Sequence, residues 1–368
     1  MSCVMKVIYL VLISFFVTSG FASSYQNMGL KSDKKELLER YNQNIESKYV
    51  TKQHAIKLFN EEYEPLIQKA ESGNGKEQLN LAMTYLNTEQ SKFDLPYEYK
   101  KEKYIYWLER SSEKRIPEAQ YLFGIENESG QNMDKNMRKA NYLFLESAEN
   151  GYSQSQFKLG EFFEFGKYAK KNQSKANFWY RKSAGQGYLK GQLKLAKIYC
   201  ESKNARECFF WTKKAAEQGD HNALFELATF YEKGFVVERN YNKAIELYDY
   251  AAKLNSGNAL FKLGEIYQFG DLNQTVDIYK SSQFYERASF LGHLPSQQSL
   301  AMLYYFGRGV SLDYQKAYVW LYTSFLLTKK KVSYLNRLEK ILNQRSLQTA
   351  KIEAYKNLYY ITYNRNKA

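Results

Sequence analysis

The sequence predicts an all-α protein, folded as a right-handed α–α superhelix (a solenoid) of about seven helix-turn-helix repeats with a helical cap at each end. Three observations support this fold class. The ten-residue stretch FKLGEFFEFG at 157–166 returns as FKLGEIYQFG at 261–270, 104 residues later. A second motif recurs about every 36 residues. A hydrophobic content of 44% with only four prolines in 368 residues is typical of a folded, helix-rich chain.

The first residues predict an export signal. A single charge, Lys6, precedes an apolar run at Val7–Val17 that is shorter than the roughly 18–20 residues of a membrane span. Gly20–Ala22 then supplies the small-x-small pattern of a cleavage site. We therefore expect a signal peptide at 1–22 and a mature protein without a transmembrane segment. The alternative is an uncleaved N-terminal anchor.

The second helix of the repeat has the most regular pattern. The segment KANFWYRKSAGQG at 175–187 recurs as KANYLFLESAENG at 139–151, as ECFFWTKKAAEQG at 207–219 and, with more changes, in four other places. The second of its two small residues marks each copy, at intervals of 36, 36, 32, 36, 37 and 36 residues: Ser112, Ala148, Ala184, Ala216, Ala252, Ser289 and, in the last copy, Phe325. Seven copies at a near-constant interval predict a repeat protein.

The first helix of each repeat is predicted by apolar and small residues at helical spacing, as in Phe157, Gly160 and Phe163. A glycine opens the loop that follows, and glycine tolerates the left-handed conformation of a helix C-cap. These glycines are Gly130, Gly166, Gly234, Gly270 and Gly307. One such helix pair has apolar surface on two sides, so we expect the pairs to stack on one another.

The combined pattern is A-x-x-x-L-G-x-x-Y, a loop, and K-A-x-x-W-Y-x-x-A-A-x-x-G. It resembles the Sel1-like repeat family, a relative of the shorter tetratricopeptide repeats, over about residues 64–330, and the chain looks like an exported bacterial member. The resemblance gives the solenoid at 64–330. Helical patterns on either side of it predict an N-terminal helical cap at 23–63 and a C-terminal helical cap at 331–368, which an array of repeats needs to stay soluble. The predicted units lie near 75–116, 117–152, 153–188, 189–220, 221–256, 257–293 and 294–330.

Two cysteines remain after removal of the leader, Cys200 and Cys208. They flank the loop of the fourth unit, which is four residues shorter than the loops of its neighbours. In an oxidising compartment such a pair tends to be joined. We therefore predict a disulfide that holds this tight turn. Two buried free thiols are the alternative.

The sequence contains no motif of a catalytic, cofactor or metal site. The three histidines, His54, His221 and His293, lie in different parts of the repeat pattern. The motifs H-E-x-x-H, C-x-x-C and G-x-x-x-x-G-K-[ST] are all missing. We therefore predict that the protein has no cofactor and no enzymatic activity.

The net charge of +14 is strongly basic. In an exported protein such a charge favours acidic protein partners or an anionic envelope surface over nucleic acid. Lysine runs such as KYAKKNQSK at 167–175 are interpreted as solvated loops.

Solenoids expose a long concave surface, which the first helices are expected to line, and they bind elongated partners through it. The candidate binding residues on this face are Glu161, Phe162, Lys197, Ile198, Thr229, Phe230, Glu265, Ile266, Met302 and Leu303. Core packing is the alternative for the apolar members of this set. The basic, tyrosine-rich tail KNLYYITYNRNK at 356–367 is interpreted as part of the cap, with docking of a partner or a membrane surface as the alternative.

We therefore expect a non-enzymatic protein–protein scaffold or adaptor in the periplasm, at the outer membrane or outside a bacterial cell. For exported members, the family resemblance also implies roles in envelope maintenance, host-cell contact or virulence. One alternative is an envelope enzyme or β-lactam-binding protein, as suggested for cysteine-rich relatives. Another is an adaptor of secretory-pathway quality control in a eukaryotic lumen, which glycosylation at Asn127, Asn172 or Asn273 would distinguish.

Overall fold

The computed structural model describes residues 31–88, 93–167 and 170–365, which form 17 α-helices and no β-strand. The predicted all-α class is confirmed. The predicted signal peptide at 1–22 lies outside the described residues. Within the described ranges, no helix combines the length and the apolar composition needed to cross a bilayer.

We number the helices in chain order: α1 (Lys31–Glu71), α2 (Gly75–Asn87), α3 (Tyr97–Glu113), α4 (Pro117–Ser129), α5 (Met137–Glu149), α6 (Ser153–Phe165), α7 (Gln173–Gly185), α8 (Leu189–Glu201), α9 (Ala205–Glu217), α10 (His221–Lys233), α11 (Tyr241–Lys253), α12 (Gly257–Phe269), α13 (Ile278–Phe290), α14 (Leu294–Phe306), α15 (Tyr314–Thr328), α16 (Ser333–Ile341) and α17 (Gln344–Arg365). Repeats 2 to 7 are the helix pairs from α4–α5 to α14–α15. The described residues divide into two compact units. The first contains those up to Ala119 together with Gly130–Asp134, and the second contains Gln120–Ser129 and those from Lys135 onward.

In the first compact unit, α1 packs on α2 and α2 packs on α3. An aromatic cluster supports this packing. Phe59 of α1 stacks on Tyr85 of α2 with ring centroids 4.7 Å apart, and Phe93 meets Phe59 edge-on at 5.6 Å. Buried rings of this size contribute a large apolar area to a small core. Helix α1 is continuous across residue 64, where the sequence pattern places the start of the solenoid.

The second compact unit is a stack of helix pairs, as predicted for a solenoid. From α5 to α15 each helix packs on the next one along the chain. The paired small residues of the second helices are buried in these contacts: Ser147–Ala148, Ser183–Ala184, Ala215–Ala216, Ala251–Ala252 and Ala288–Ser289. The first helix of the next repeat packs closely against these small residues. A Cβ added to Gly191 of α8 would lie only 2.9 Å from the backbone nitrogen of Ala184 in α7.

Within a pair, a glycine of the first helix makes room for a ring of the second helix. A Cβ on Gly160 would lie 2.4 Å from Cε1 of the buried Tyr180, and Gly264 has the same relation to Tyr285. Such a distance is far inside van der Waals contact, so a larger residue would overpack the site. The L-G element of the repeat therefore follows from the packing of this ring.

Repeated caps set the ends of the helices. The first helices α6, α10, α12 and α14 end at glycines with φ between 63° and 74°, in the left-handed conformation, as predicted. The second helices begin after a residue whose Oδ1 accepts a backbone N–H three residues later: Asn136, Asn172, Asn204, Asn240, Asp277 and Asp313. Each such cap contributes about 1 kcal/mol to helix stability.

Buried glutamines link successive repeats. The side-chain amide of Gln156 donates to the backbone oxygen of Ala148 at 3.1 Å, and the amide of Gln297 donates to the backbone oxygen of Ser289 at 3.2 Å. Both acceptors lie in the last turn of the preceding second helix. Each hydrogen bond therefore ties one helix pair to the next.

Two helices follow the last pair. Helix α15 packs on α16 and on α17, and α17 also contacts α13. The buried side of α17 is formed by Ala350, Ala354 and Ile361. Its tyrosines, described below, occupy the exposed sides.

Candidate binding surface

The first helices present a repeated set of accessible positions. Counted from the first residue of each helix, positions 2, 5, 6 and 9 fall on one side, because an α-helix turns once in about 3.6 residues. In α6 and α8 these positions line a groove of about 500 Å³, which we call the first-helix groove. Its lining residues are Tyr121 of α4, Gln154, Phe157, Lys158 and Glu161 of α6, the adjoining Tyr188, and Lys190, Leu193, Lys194 and Lys197 of α8.

Lysines dominate the polar part of the first-helix groove. Four of them line it, against a single carboxylate among the described residues, Glu161. Lys158 and Lys194 are held in ion pairs by glutamates of the preceding repeat, and those glutamates lie outside the lining. Lys190 and Lys197 are exposed. The groove therefore presents a mainly positive wall.

Aromatic rings form the apolar part of the same groove. Phe157 meets Tyr188 edge-on with ring centroids 5.6 Å apart, and Tyr121 packs against Tyr152 at 5.4 Å. Burial raises the pKa of Tyr121 and the pKa of Tyr188, and neighbouring negative groups add to the effect. Both phenols therefore stay protonated at neutral pH, so that each side chain combines an apolar ring with a hydrogen-bonding tip.

Half of the predicted binding residues occupy position 9 of the first helices. They are Glu161, Lys197, Thr229, Glu265 and Met302. Lys197 is exposed and the other four are half-buried. Glu161 and Lys197 lie in the first-helix groove, and burial raises the pKa of Glu265 above its ordinary value. All five remain candidates for contact with a partner.

The other half occupy position 10 and require a correction. They are Phe162, Ile198, Phe230, Ile266 and Leu303. Phe162, Ile266 and Leu303 are buried, so their prediction as exposed binding residues is wrong. The remaining two are half-buried. Position 10 lies two helical turns after position 3, which is buried in all five helices, and it therefore faces the core between repeats. Phe162, for example, meets Phe144 of the preceding repeat at 5.7 Å.

Several residues of the first-helix groove were not among the predicted candidates: Tyr121, Gln154, Phe157, Lys158, Tyr188, Lys190, Leu193 and Lys194. A signal for them exists in the sequence, since Lys158 and Lys194 both occupy position 6, three residues before the candidates at position 9. Residues three and four apart are neighbours on a helix surface. Phe157, whose helical spacing helps to predict the first helix, is half-buried.

Glutamates at position 12 of the first helices tie repeats together. Glu164 accepts a hydrogen bond from the hydroxyl of Tyr180 in its own repeat at 2.7 Å, and another from Lys194 in the next repeat at 2.7 Å. Burial by itself raises the pKa of Glu164, but the hydrogen bonds from Lys194 and Tyr180 outweigh it, and the pKa lies below its ordinary value. The carboxylate is therefore charged at neutral pH and fully engaged.

The same tie recurs along the stack. Glu232 accepts hydrogen bonds from Tyr248 at 2.6 Å and from Lys262 of the following repeat at 2.9 Å. Glu128 of repeat 2 likewise forms an ion pair with Lys158 of repeat 3, with the charged atoms 2.8 Å apart. The lysines at position 6 therefore hold successive repeats together, and two of them also line the first-helix groove.

In repeat 4 a disulfide cysteine occupies the position of this glutamate. Cys200, at position 12 of α8, is bonded to Cys208 of α9, and their Cα atoms are 4.9 Å apart. Cys208 is buried at the position that holds Ala176 in repeat 3 and Ala244 in repeat 5, whereas Cys200 is exposed. The bond joins the two helices across the short loop of this repeat.

The three histidines have separate structural positions. His293 caps α14, with its Nδ1 2.9 Å from Oγ of Ser296, and burial lowers its pKa. His221 is the first residue of α10, and His54 lies in α1. In the part of the chain that the structure describes, no three histidine, cysteine or carboxylate side chains are grouped as metal ligands.

The C-terminal helix carries exposed tyrosines. Tyr355, Tyr359, Tyr360 and Tyr363 are all exposed, and the rings of Tyr359 and Tyr363 stack with centroids 5.9 Å apart. Docking of a partner through this tail remains a prediction.

Comparison with known proteins identifies the repeat. The Sel1 repeat matches six segments of the chain: 117–152, 153–188, 189–220, 221–256, 257–293 and 294–324. Together they cover more than half of the 368 residues. The predicted first unit at 75–116 is not among the matched segments.

Solved structures share the fold. The protein c5321, a protective antigen present in uropathogenic Escherichia coli strains displaying an SLR fold, is 26% identical, with a TM-score of 0.68 over 85% of this chain and 69% of that chain. A Sel1 repeat protein from Oxalobacter formigenes is 21% identical, with a TM-score of 0.58 over 83% of this chain and 90% of that chain. No curated protein matches the chain significantly. The predicted resemblance is thus confirmed, and this chain belongs to the Sel1 repeat family, with a solenoid fold related to that of the tetratricopeptide repeats.

Proposed function

We propose that this chain is a non-enzymatic scaffold that binds an elongated protein partner along its first helices. The observation that carries the proposal is the first-helix groove, which equivalent positions of α6 and α8 line. It combines three half-buried rings, Tyr121, Phe157 and Tyr188, with the exposed Lys190 and Lys197. Tyrosine is enriched among the residues that dominate interface energies, and positive charge steers an acidic partner toward the surface. A surface built from the same positions of successive repeats suits a partner that extends along the stack.

We further propose that the scaffold acts in a bacterial envelope or outside the cell. The support comes from the leader-like residues at 1–22, the strongly basic composition and a cysteine pair suited to an oxidising compartment. The likeness to a protective antigen of uropathogenic Escherichia coli supports a role in contact with a host cell. An anionic envelope surface is an additional partner that the basic charge favours.

Site-specific photocrosslinking in the source cells tests the scaffold role. A photoreactive phenylalanine analogue replaces Glu161 or Lys197 in the first-helix groove or, as a matched control, Lys213, an exposed residue of the second helix α9. We expect a discrete protein adduct from the groove positions and none from Lys213. Equal adducts from both surfaces, or none from either groove position, would contradict the scaffold role.

Fractionation of the same cells tests the location separately. We expect the chain and its adduct in the periplasmic, outer-membrane or culture-medium fraction. Recovery of the chain in the cytosol contradicts the proposed location and leaves the scaffold role standing.

A further inference from the structure

A second groove lies where α17 runs beside the turns that join successive repeats. Two cavities of about 720 Å³ and 750 Å³ share Asn255, Phe290, Leu291 and Tyr360 and so form one continuous groove. We call it the C-terminal groove. It crosses the turn between α11 and α12 and the turn between α13 and α14. Its length therefore spans two repeat junctions.

The wall of the C-terminal groove is basic and rich in hydrogen-bond donors. Arg287 and Lys356 line it and are exposed, and Asn255 and Asn357 contribute side-chain amides. Arg287 also donates to the backbone oxygen of Ala252 at 3.1 Å, which holds its guanidinium at the wall. Among the described lining residues, none is aspartate or glutamate. A positive wall without a lining carboxylate favours an acidic ligand, because no neighbour within the groove competes for the cations.

Aromatic side chains supply the apolar part of this groove. Phe290 of α13 and Tyr360 of α17 meet edge-on with ring centroids 5.8 Å apart. Tyr359 is 69% exposed and Tyr360 is 53% exposed. Tyrosines held on a helix make good interface anchors, because they offer a large area and lose little conformational entropy on binding.

Asn255 distinguishes this groove from the other turns of the stack. It adopts a φ of 62°, in the left-handed region. The equivalent turns of four other repeats hold glycines in the same region: Gly151, Gly187, Gly219 and Gly292. A side chain in this conformation is less favourable than glycine. Where glycine offers no side chain, Asn255 places an amide on the wall of both cavities.

We propose that the C-terminal groove docks an acidic, extended protein segment. Carboxylates of the segment pair with Arg287 and Lys356, its backbone bonds to the amides of Asn255 and Asn357, and its apolar side chains pack on Tyr360 and the rings beside it. A groove that crosses two repeat junctions suits an extended segment. This site is additional to the first-helix groove, so one chain holds two segments, from one partner or from two.

Fluorescence anisotropy with the full mature chain tests this site. The probe is a fluorescein-labelled ten-residue peptide of alternating glutamate and leucine, and the control peptide has glutamine in place of glutamate. We expect the glutamate peptide to bind at least about tenfold more tightly than the glutamine peptide at low salt. Its affinity falls as added NaCl screens the exposed charges.

Variants locate the binding. The double substitution Arg287→Glu with Lys356→Glu should weaken binding at least about tenfold, since each change reverses a charge on the wall. Asn255→Gly should weaken binding about threefold and leave the melting temperature unchanged or higher, because glycine adopts this φ without strain. The matched control, Arg206→Glu with Lys213→Glu at exposed positions of α9, should leave the affinity unchanged. In a further variant, Lys190→Glu with Lys197→Glu in the first-helix groove, the loss caused by changing Arg287 and Lys356 should persist.

Specific outcomes overturn this proposal. Binding that is lost in the Lys190/Lys197 variant but kept in the Arg287/Lys356 variant moves the acidic ligand to the first-helix groove and leaves the scaffold role intact. Absence of binding, equal affinity for both peptides, or binding to phosphatidylglycerol vesicles without binding to the peptide also overturns it. Failure of the photocrosslinking test concerns the first-helix groove alone, so the two failures are distinguishable.

Discussion

Repeats 4 and 5 fasten the end of the first helix in different ways. In repeat 5, Glu232 of α10 accepts a hydrogen bond from Tyr248 of α11 and forms an ion pair with Lys262 of the next repeat. In repeat 4, Cys200 occupies the glutamate position and is bonded to Cys208 of α9. A covalent link thus stands where the neighbouring repeat has a polar one.

The length of the loop and the residue on the second helix explain why position 12 of the first helix differs between the two repeats. The loop between α8 and α9 is four residues shorter than the loop between α10 and α11, so the two helices of repeat 4 are joined close to their ends. Thr212 occupies the position of Tyr248 and lacks the length to reach across as the phenol does. Repeat 4 is therefore fastened within itself, whereas repeat 5 is also fastened to repeat 6.

Of the changes considered, removing the ring of Tyr248 in repeat 5 should lower the stability of the fold the most. Tyr248 is fully buried, so Tyr248→Ala leaves a cavity and lowers the free energy of unfolding by about 3–5 kcal/mol. Tyr248→Phe is the matched control, because it keeps the ring and removes only the hydrogen bond to Glu232, at a cost of about 1–2 kcal/mol. Urea unfolding followed by circular dichroism measures both. Equal losses of stability in the two variants would contradict a dominant contribution from packing of the ring.

Removing the disulfide should have an intermediate effect on repeat 4. Cys200 and Cys208 are eight residues apart, and opening so short a loop by Cys200→Ser with Cys208→Ser should lower the free energy of unfolding by about 2–3 kcal/mol. A reductant should lower the stability of the unmodified chain equally and leave the variant unchanged. Mass spectrometry after alkylation without reductant provides the direct check. Alkylation of both thiols in the unreduced chain would contradict the disulfide between Cys200 and Cys208.

Lowering the pH should change the contributions of Glu164 and Glu265 to stability in opposite directions. This is the smallest of the expected effects. Burial raises the pKa of Glu164, yet hydrogen bonds from Lys194 and Tyr180 more than offset this, and the pKa lies below its ordinary value of 4.5. The stability that this carboxylate adds is therefore present above pH 4.5 and is lost as pH falls through the lower folded pKa. The advantage of the unmodified chain over Glu164→Gln, about 1 kcal/mol at neutral pH, should shrink in acid.

Glu265 provides a control of opposite sign. Burial raises its pKa, so the folded state binds a proton more readily than the unfolded state does. The unmodified chain should therefore gain stability relative to Glu265→Gln as pH falls. Thermal melting of the three proteins over a pH series measures both trends. Parallel curves for the two variants would contradict the assignment of the pKa shifts.

Much of the repeat architecture could be predicted because its signals are local. Gly166 and Gly270 end first helices where the pattern placed them, since a C-cap depends on one backbone conformation that glycine adopts easily. Asn172 and Asn240 begin second helices for a similarly local reason, a side-chain oxygen that accepts a nearby backbone N–H.

The candidate binding face could be predicted only in part. Glu161 and Lys197 lie in the first-helix groove, whereas Phe162 and Ile266, one position further along, are buried in the core. Adjacent helix positions differ by about 100° of rotation, so one of them can face solvent while the next faces a neighbouring helix. Helical spacing tells which residues share a side, and the neighbouring repeat decides which side it covers.

The sequence by itself determined the helix pairs, their period, their caps and the family, because each of these depends on residues within about one repeat. Only the tertiary structure decided the contacts that cross repeats, such as the bond of Glu232 to Lys262, 30 residues away, and the C-terminal groove where Tyr360 meets Phe290. The physical reason is that these partners are brought together by the angle at which each pair stacks on the next, and that angle is a sum of many side-chain contacts spread along the whole stack.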